Sequence, residues 1–142
     1  MSLVEEEEAV LDLSYRALAS QIAAIRRAVN EAARDLGASE DALLQINLAV
    51  SEAATNAVQH AYRDRAAADA GDVRVVVRES YGNALVVHVH DRGMGLAPRP
   101  ASPGLGLGLG LGLCLMAHEC ARFEIRRSPD GPGTEIVLHF RL

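Results

Sequence analysis

The sequence predicts an α+β fold, a two-layer sandwich in which three helices cover one face of a mixed, mostly antiparallel sheet. Two observations predict it. Strand patterns are grouped after helical patterns instead of alternating with them, which favours helices packed on one side of a sheet. The 142 residues, 49% of them hydrophobic, suffice for one core. We therefore expect a single domain over residues 1–142.

The first half of the chain carries the patterns of one short strand and two helices. Ala9 to Leu13 is predicted as a strand. Leu18 to Leu36 is predicted as a helix, because apolar side chains recur on one face, and Gly37 closes it. Ser39 is a suitable N-cap for a second helix that runs to about His60.

The second half of the chain carries four predicted strands in two hairpins. Val73 to Glu79 and Ala84 to His90 surround a turn at Tyr81-Gly82-Asn83. Arg122 to Arg127 and Thr134 to Leu142 surround a turn that is rich in proline and glycine. These hairpins supply the strands of the predicted sheet.

Between the hairpins, glycine and leucine alternate from Gly104 to Leu113, and a third helix is predicted over Leu111 to Ala121. A glycine-rich loop that leads into a helix presents unpaired N–H groups to an anion. A flexible linker would contain serine in place of leucine, and a membrane span needs about 20 apolar residues. The run therefore predicts a phosphate-binding loop.

The residues around this loop exclude two common kinds of phosphate site. The chain has no lysine, since all fourteen basic residues are arginines, so a P-loop and the strand lysine of protein kinases are absent. A dinucleotide fingerprint requires a strand directly before its glycines. Here Leu96 to Pro103 precedes them and contains three prolines, which indicates a loop.

The second predicted helix carries a polar stripe, since Glu52, Asn56 and His60 are spaced four residues apart. Asn56 offers a neutral oxygen of the kind that Mg²⁺ prefers, and Glu52 could take a proton or orient a water. The alternative is a solvated helix face with no function. An apolar face is expected to continue beside the stripe through Leu44, Leu48 and Ala49.

A D-x-G-x-G sequence follows the strand that ends at His90. Asp91 could point one carboxylate into a pocket, while Gly93 and Gly95 let the chain turn sharply. Such an acid suits the exocyclic amine of an uncharged base. The alternative is a surface turn, which aspartate and glycine also favour.

The order of these motifs resembles that of the GHKL ATPases, and most of all that of the small anti-sigma-factor serine/threonine kinases. The matching segments are S-E-A-A-T-N-A-V-Q-H-A-Y (51–62), D-R-G-M-G (91–95), G-L-G-L (110–113) and G-T (133–134). The resemblance implies a histidine-kinase-like ATP-binding domain with the two-layer Bergerat fold.

The resemblance also implies a role for each matching residue. Glu52 would be the general base, Asn56 the Mg²⁺ ligand, Asp91 the acceptor for the adenine amine, and Thr134 would reach back towards the nucleotide. Gly93 and Gly95 would let the chain pass close to the nucleotide. The lid over the phosphates would contain Gly108, Gly110, Leu111, Gly112 and Leu113. Leu111 departs from the anti-sigma kinases, which often have arginine there, and the repeat admits registers offset by two or four residues.

The function implied by the resemblance is ATP- and Mg²⁺-dependent phosphorylation of a protein. The substrate would be a STAS-type antagonist of an anti-sigma factor, and a sigma factor would be the second partner. The prediction of partners also includes a second copy of this chain, in a homodimer. Two alternatives remain: a non-catalytic nucleotide-dependent binding module, and the ATP-binding fragment of a histidine kinase, which is disfavoured because no phospho-accepting helical hairpin precedes the domain.

The net charge and the first residues of the sequence limit the partners and the compartment that we expect for this protein. The formal net charge of −5 argues against direct nucleic-acid binding. The start of the chain is acidic and has no apolar signal segment, which favours a cytoplasmic protein that does not enter the membrane. We expect residues 1–8, with their run of four glutamates, to be solvated and disordered.

Overall fold

The computed structural model describes residues 9–61, 71–81, 83–92, 122–127 and 133–142. Over these residues the chain forms an α+β fold with two α-helices and a five-stranded sheet, so the predicted fold class is confirmed. The elements are β1 (Ala9–Arg16), α1 (Ile22–Asp35), α2 (Glu40–Asn56), β2 (Asp72–Ser80), β3 (Ala84–Asp91), β4 (Arg122–Arg127) and β5 (Thr134–Arg141).

The sheet has the strand order β1-β2-β3-β5-β4, and each of these neighbouring pairs is antiparallel. Both predicted hairpins are present, as β2–β3 and as β4–β5. The parallel pairing that a mixed sheet would need does not occur among the described strands. Pairing of β3 with β5 joins the two hairpins, so the ends of these two central strands lie side by side.

The core is formed by alternate side chains of the central strands together with the helices that cover them. Every second side chain of β2, β3 and β5 points to the helix layer and is buried there with apolar side chains of α1 and α2. The inward residues are Val73, Val75, Val77, Leu85, Val87, Val89, Ile136, Leu138 and Phe140. Helix α1 packs on β1 and β2, and α2 packs on β3 and β5. Both described helices therefore lie on one face of the sheet.

Helix α2 is fixed at its start and along its side. The Ser39 hydroxyl accepts a hydrogen bond from the Ala42 N–H at 3.1 Å, as the predicted N-cap requires. The Asn30 amide of α1 donates to the Asn47 amide oxygen of α2, also at 3.1 Å. Gly37, with φ +88°, ends α1 in the left-handed conformation expected of it. Together these contacts set the direction of α2 across the sheet.

Three boundaries differ from the predictions by more than one residue. β1 extends to Arg16, because every residue from Leu11 to Arg16 pairs with β2 although the last of them lack an apolar pattern. A 3-10 turn over Ala19–Gln21 precedes α1. Helix α2 keeps regular α geometry to Asn56, and a π-helical turn, Ala57–Ala61, follows. The continuous α-helix predicted to about His60 is therefore wrong in its last turn.

Some expectations concern segments outside the described residues. They are the solvated stretch 1–8, the proline-containing loop, the alternating Gly-Leu run and the third helix over Leu111 to Ala121. The described part thus shows two of the three predicted helices. Neither of these helices combines the length and the apolar character that crossing a bilayer requires.

Candidate functional site

Three polar side chains are buried among the residues that the structure describes, and all three were predicted as site residues. Asn56 and Thr134 are each 3% exposed, and Asp91 is 5% exposed. The rest of the buried set in this part of the chain is hydrophobic. Aspartate, asparagine and threonine are mostly exposed in folded proteins, so the burial of these three in the described core marks the place of a candidate site.

Asp91 and Thr134 are cross-strand partners. Asp91 is the last residue of β3, Thr134 is the first residue of β5, and the two are paired in the antiparallel register. Each follows the inward alternation of its strand, two residues beyond Val89 and two residues before Ile136 respectively. A carboxylate and a hydroxyl therefore meet at one end of the sheet, on the face that α2 covers.

Gly133 is required for this pairing. Its φ of +134° is a conformation that residues with a side chain rarely adopt. A Cβ at this position would overlap the backbone oxygen of Asp91 and lie 2.9 Å from the Arg92 Cα. The sequence motif contained this glycine, but its role could not be seen there, because it depends on a contact with a residue 42 positions away.

Asn56 is the last residue of α2 and carries an unsatisfied polar atom. Its Nδ2 is buried and makes no hydrogen bond within the described part of the chain. An unpaired buried donor costs about 1–3 kcal/mol, so a ligand that accepts from it would recover that free energy. Rotation of the carboxamide would present the oxygen instead, which is the atom that a Mg²⁺ ion would use.

The π-helical turn brings the end of α2 to the strand that carries Asp91. It follows Asn56 directly and contacts β3. Such turns occur often at functional sites. The change of winding also ends the regular four-residue spacing at Asn56, so the stripe predicted to include His60 is regular only from Glu52 to Asn56.

Glu52 lies one helical turn before Asn56, and its side chain is half-buried. Residues four apart on an α-helix are neighbours on its surface, with Cβ atoms about 6 Å apart. Glu52 is thus a neighbour of Asn56 along the helix and is more exposed than Asn56. A carboxylate in this position can reach a group that arrives from outside the protein.

The remaining predicted site residues lie outside the described part of the chain. They are Gly93, Gly95, Gly108, Gly110, Leu111, Gly112 and Leu113. Within the described ranges, no group of three or more His, Cys, Asp or Glu side chains could hold a metal ion. A Mg²⁺ ion held mainly by phosphate oxygens and water needs only one or two protein ligands. Asn56 could be such a ligand without any cluster of acidic side chains around it.

Comparison with known proteins identifies the family of this chain. The model of the histidine kinase-like ATPase domain family matches residues 15–140, a span that contains Glu52, Asn56, Asp91 and Thr134. The serine-protein kinase RsbW of Bacillus thuringiensis (strain Al Hakam) is 33% identical over 84 residues, which are 59% of this chain and 49% of RsbW. The chain spans about half the length of the curated relatives that it matches.

Solved structures show the same fold. The RsbU and RsbW domains of Rv1364c from Mycobacterium tuberculosis superpose with a TM-score of 0.68 at 21% identity, over 94% of this chain and 33% of that one. A protein of the SiaB–SiaC complex from Pseudomonas aeruginosa gives 0.69 at 13% identity, over 94% and 90% of the two chains. The histidine kinase domain of Erythrobacter litoralis EL346 gives 0.57 at 27% identity, over 87% and 60%. From the family match and the buried site residues together, we conclude that this chain belongs to the histidine kinase-like ATPase domains of the GHKL superfamily, and that it resembles their anti-sigma kinase branch.

Proposed function

We propose that this chain binds ATP with Mg²⁺ and phosphorylates a serine or threonine of a STAS-type anti-sigma-factor antagonist. In this proposal it also binds a sigma factor, acts in the cytoplasm and regulates transcription by switching partners. The observation that carries the nucleotide part is the burial of Asn56, Asp91 and Thr134 in a core that is otherwise apolar. The RsbW relatives, which are named serine-protein kinases, support the reaction.

The buried end of the sheet is suited to an adenine base. The Asp91 carboxylate can accept a hydrogen bond from the exocyclic amine, and the neighbouring Thr134 hydroxyl can donate or accept. A hydrogen bond to a charged group in a buried site contributes about 1.5–3 kcal/mol. A guanine base has a carbonyl at that place and would put an acceptor against an acceptor. We therefore propose selectivity for adenine nucleotides.

The end of α2 is suited to the phosphates and to proton transfer. The Asn56 carboxamide would hold Mg²⁺, which supplies charge neutralisation at the phosphate oxygens. Glu52 would accept the proton of the substrate hydroxyl while that oxygen bonds to the γ-phosphorus and the bond to the ADP oxygen breaks. The half-exposed position of Glu52 lets a protein hydroxyl reach it, as this role requires.

Phosphotransfer to a purified protein tests the proposal. Purified STAS-domain proteins from the same source cell are incubated with the protein, Mg²⁺ and labelled ATP, and the modified residue of the labelled antagonist is mapped by mass spectrometry. We expect one serine or threonine to be labelled. If the chain binds ATP and transfers no phosphate to any of these proteins, the kinase proposal fails and a non-catalytic binding module becomes the better explanation.

A further inference from the structure

Helix α2 bears two large apolar side chains that the fold leaves exposed. Leu44 is 61% exposed and Leu48 is 41% exposed. The sequence predicted both as part of an apolar face with Ala49, but Ala49 alone is buried. The core side of α2 is instead formed by Leu43, Ile46, Val50 and several alanines. We call Leu44 and Leu48 the leucine ridge.

The leucine ridge leads to the proposed general base. Leu44, Leu48 and Glu52 follow one another at four-residue spacing in a helix that is regular to Asn56. Such residues form one slightly inclined row along the helix surface, about 6 Å apart. Leu48 is thus the neighbour of Glu52 on the outer side of the helix, and Leu44 lies one turn further away.

The packing of α2 limits the directions from which a protein can reach Glu52. One side of the helix is buried on β3 and β5, and another is linked to α1 through the Asn30–Asn47 hydrogen bond. Among the described residues, the exposed side of α2 is therefore the side that leaves room for a hydroxyl on a folded protein. The surface around that hydroxyl is wider than one helical turn, so it would cover Leu48 and Leu44 as well.

The charges next to the leucine ridge define the chemistry of the surface that would cover it. Helix α2 contains no arginine, lysine or histidine, and its exposed first turn carries Glu40 and Asp41. Leu44 lies one turn after Glu40. An apolar surface with a basic group at the side facing the start of α2 would complement this row in both hydrophobicity and charge.

We propose that the leucine ridge is the docking surface for the protein that this chain phosphorylates, and that it orients the acceptor hydroxyl towards Glu52. The inference rests on the proposed kinase function. The partner surface carries apolar side chains against Leu44 and Leu48 and an arginine or lysine near Glu40 and Asp41. Docking there gives affinity for the protein substrate without any contact to the nucleotide.

The test compares Leu44→Gln/Leu48→Gln with Leu13→Gln. Glutamine has nearly the helix propensity of leucine, so α2 should persist. Leu13, at 45% exposure on the edge strand β1, is an equally exposed leucine outside α2. Calorimetry measures the Kd of each variant for a purified, unphosphorylated STAS-domain antagonist from the same source cell and for ADP. Labelled ATP gives KM and kcat for phosphotransfer to that antagonist.

We expect the double variant to weaken antagonist binding and to raise KM by about tenfold or more, because two exposed leucines can no longer bury apolar surface against the antagonist. The Kd for ADP and the kcat at saturation should stay within twofold of the parent, and Leu13→Gln should match the parent throughout. Glu40→Gln/Asp41→Asn should raise KM by a smaller factor, about two- to fivefold.

Three results separate the docking inference from the kinase proposal. If the parent transfers phosphate and the double variant keeps its antagonist Kd and KM, the docking inference is overturned and the kinase proposal stands. If the parent binds the antagonist through Leu44 and Leu48 but transfers no phosphate, the kinase proposal alone fails. If the double variant changes from dimer to monomer in sedimentation while its antagonist Kd is unchanged, a second copy of this chain covers the ridge, which also overturns the inference.

Discussion

The backbone of Gly133 lies so close to the Asp91 carbonyl that a Cβ at position 133 would overlap that oxygen. The contact holds the start of β5 against the end of β3, where Thr134 pairs with Asp91. This close approach of the two backbones is possible because residue 133 has no side chain. The same glycine allows φ +134°, which an alanine would adopt only under strain.

The first prediction concerns Gly133→Ala. We expect it to lower the free energy of unfolding by about 3 kcal/mol or more, since backbone strain and overlap add. Gly37→Ala is a matched control, because Gly37 also has a positive φ, +88°, but nothing lies within 4 Å of the added Cβ. It should cost only the strain, about 1 kcal/mol. Urea unfolding measures both values, and equal losses would contradict the close contact.

The second prediction concerns the base-binding role of Asp91. Asp91→Ala should weaken ADP binding by about ten- to a hundredfold, because a charge-assisted hydrogen bond is lost. The parent should bind ADP more tightly than GDP, and the variant should lose most of that preference. Asp72→Ala, which removes an exposed strand carboxylate, is the control. Unchanged ADP affinity in a folded Asp91→Ala protein would exclude the assignment.

The third prediction concerns the pH dependence of stability. Burial lowers the pKa of His139 below its ordinary value of 6.5, and the positive charge of Arg122 acts in the same direction. His139 therefore takes up its proton at a lower pH in the folded protein than in the unfolded chain, where it does so near pH 6.5. The unfolded state binds more protons just below that pH, so stability is complete above about pH 6.5 and falls as the pH decreases.

Replacement of His139 tests this sign. His139→Gln should reduce the loss of unfolding free energy between pH 7 and pH 5.5, as measured by thermal unfolding in a series of buffers. The carboxylates of Asp12 and Glu124 have pKa values lowered by hydrogen bonds from Arg74 and Arg126. Their contribution is lost only below their ordinary values of 3.8 and 4.5, outside this window. A steeper loss in the variant would contradict the prediction.

The sequence predicted the part of the site that depends on local patterns. Strand alternation and the turn signals located β3 and β5, and the motifs placed Asp91 at the end of one strand and Thr134 at the start of the other. The pairing of these two strand ends was not predicted and is seen only in the structure. The helix N-cap at Ser39 was predictable because its signal lies within four residues. These features depend on short stretches of chain, which periodicity and turn chemistry describe well.

Other features depend on contacts between distant residues. Of the apolar face predicted through Leu44, Leu48 and Ala49, only Ala49 is buried. Periodicity fits several sets of apolar residues, and the packing on β3 and β5 selects Leu43, Ile46 and Val50 for the core. The role of Gly133 arises from its contact with Asp91. The π-helical turn after Asn56 has no signature in the hydrophobic pattern.

The last prediction separates the proposed roles of Glu52 and Asn56. Asn56→Ala should weaken Mg-ATP binding, because it removes the proposed metal ligand, while Glu52→Gln should leave that binding within twofold of the parent. A general base contributes about 10²- to 10⁴-fold to the rate. Glu52→Gln should therefore lower the phosphotransfer rate by that factor and keep antagonist binding.

The most direct test of the kinase proposal is single-turnover phosphotransfer to the STAS-domain antagonist, with saturating Mg-ATP, by the parent and by Glu52→Gln. The proposed mechanism predicts rapid labelling of one serine or threonine by the parent and a rate at least about a hundredfold lower for the variant. Labelling by the variant at the parent's rate would contradict the assignment of Glu52 as the base. No labelling by an ATP-bound parent would contradict the kinase function itself.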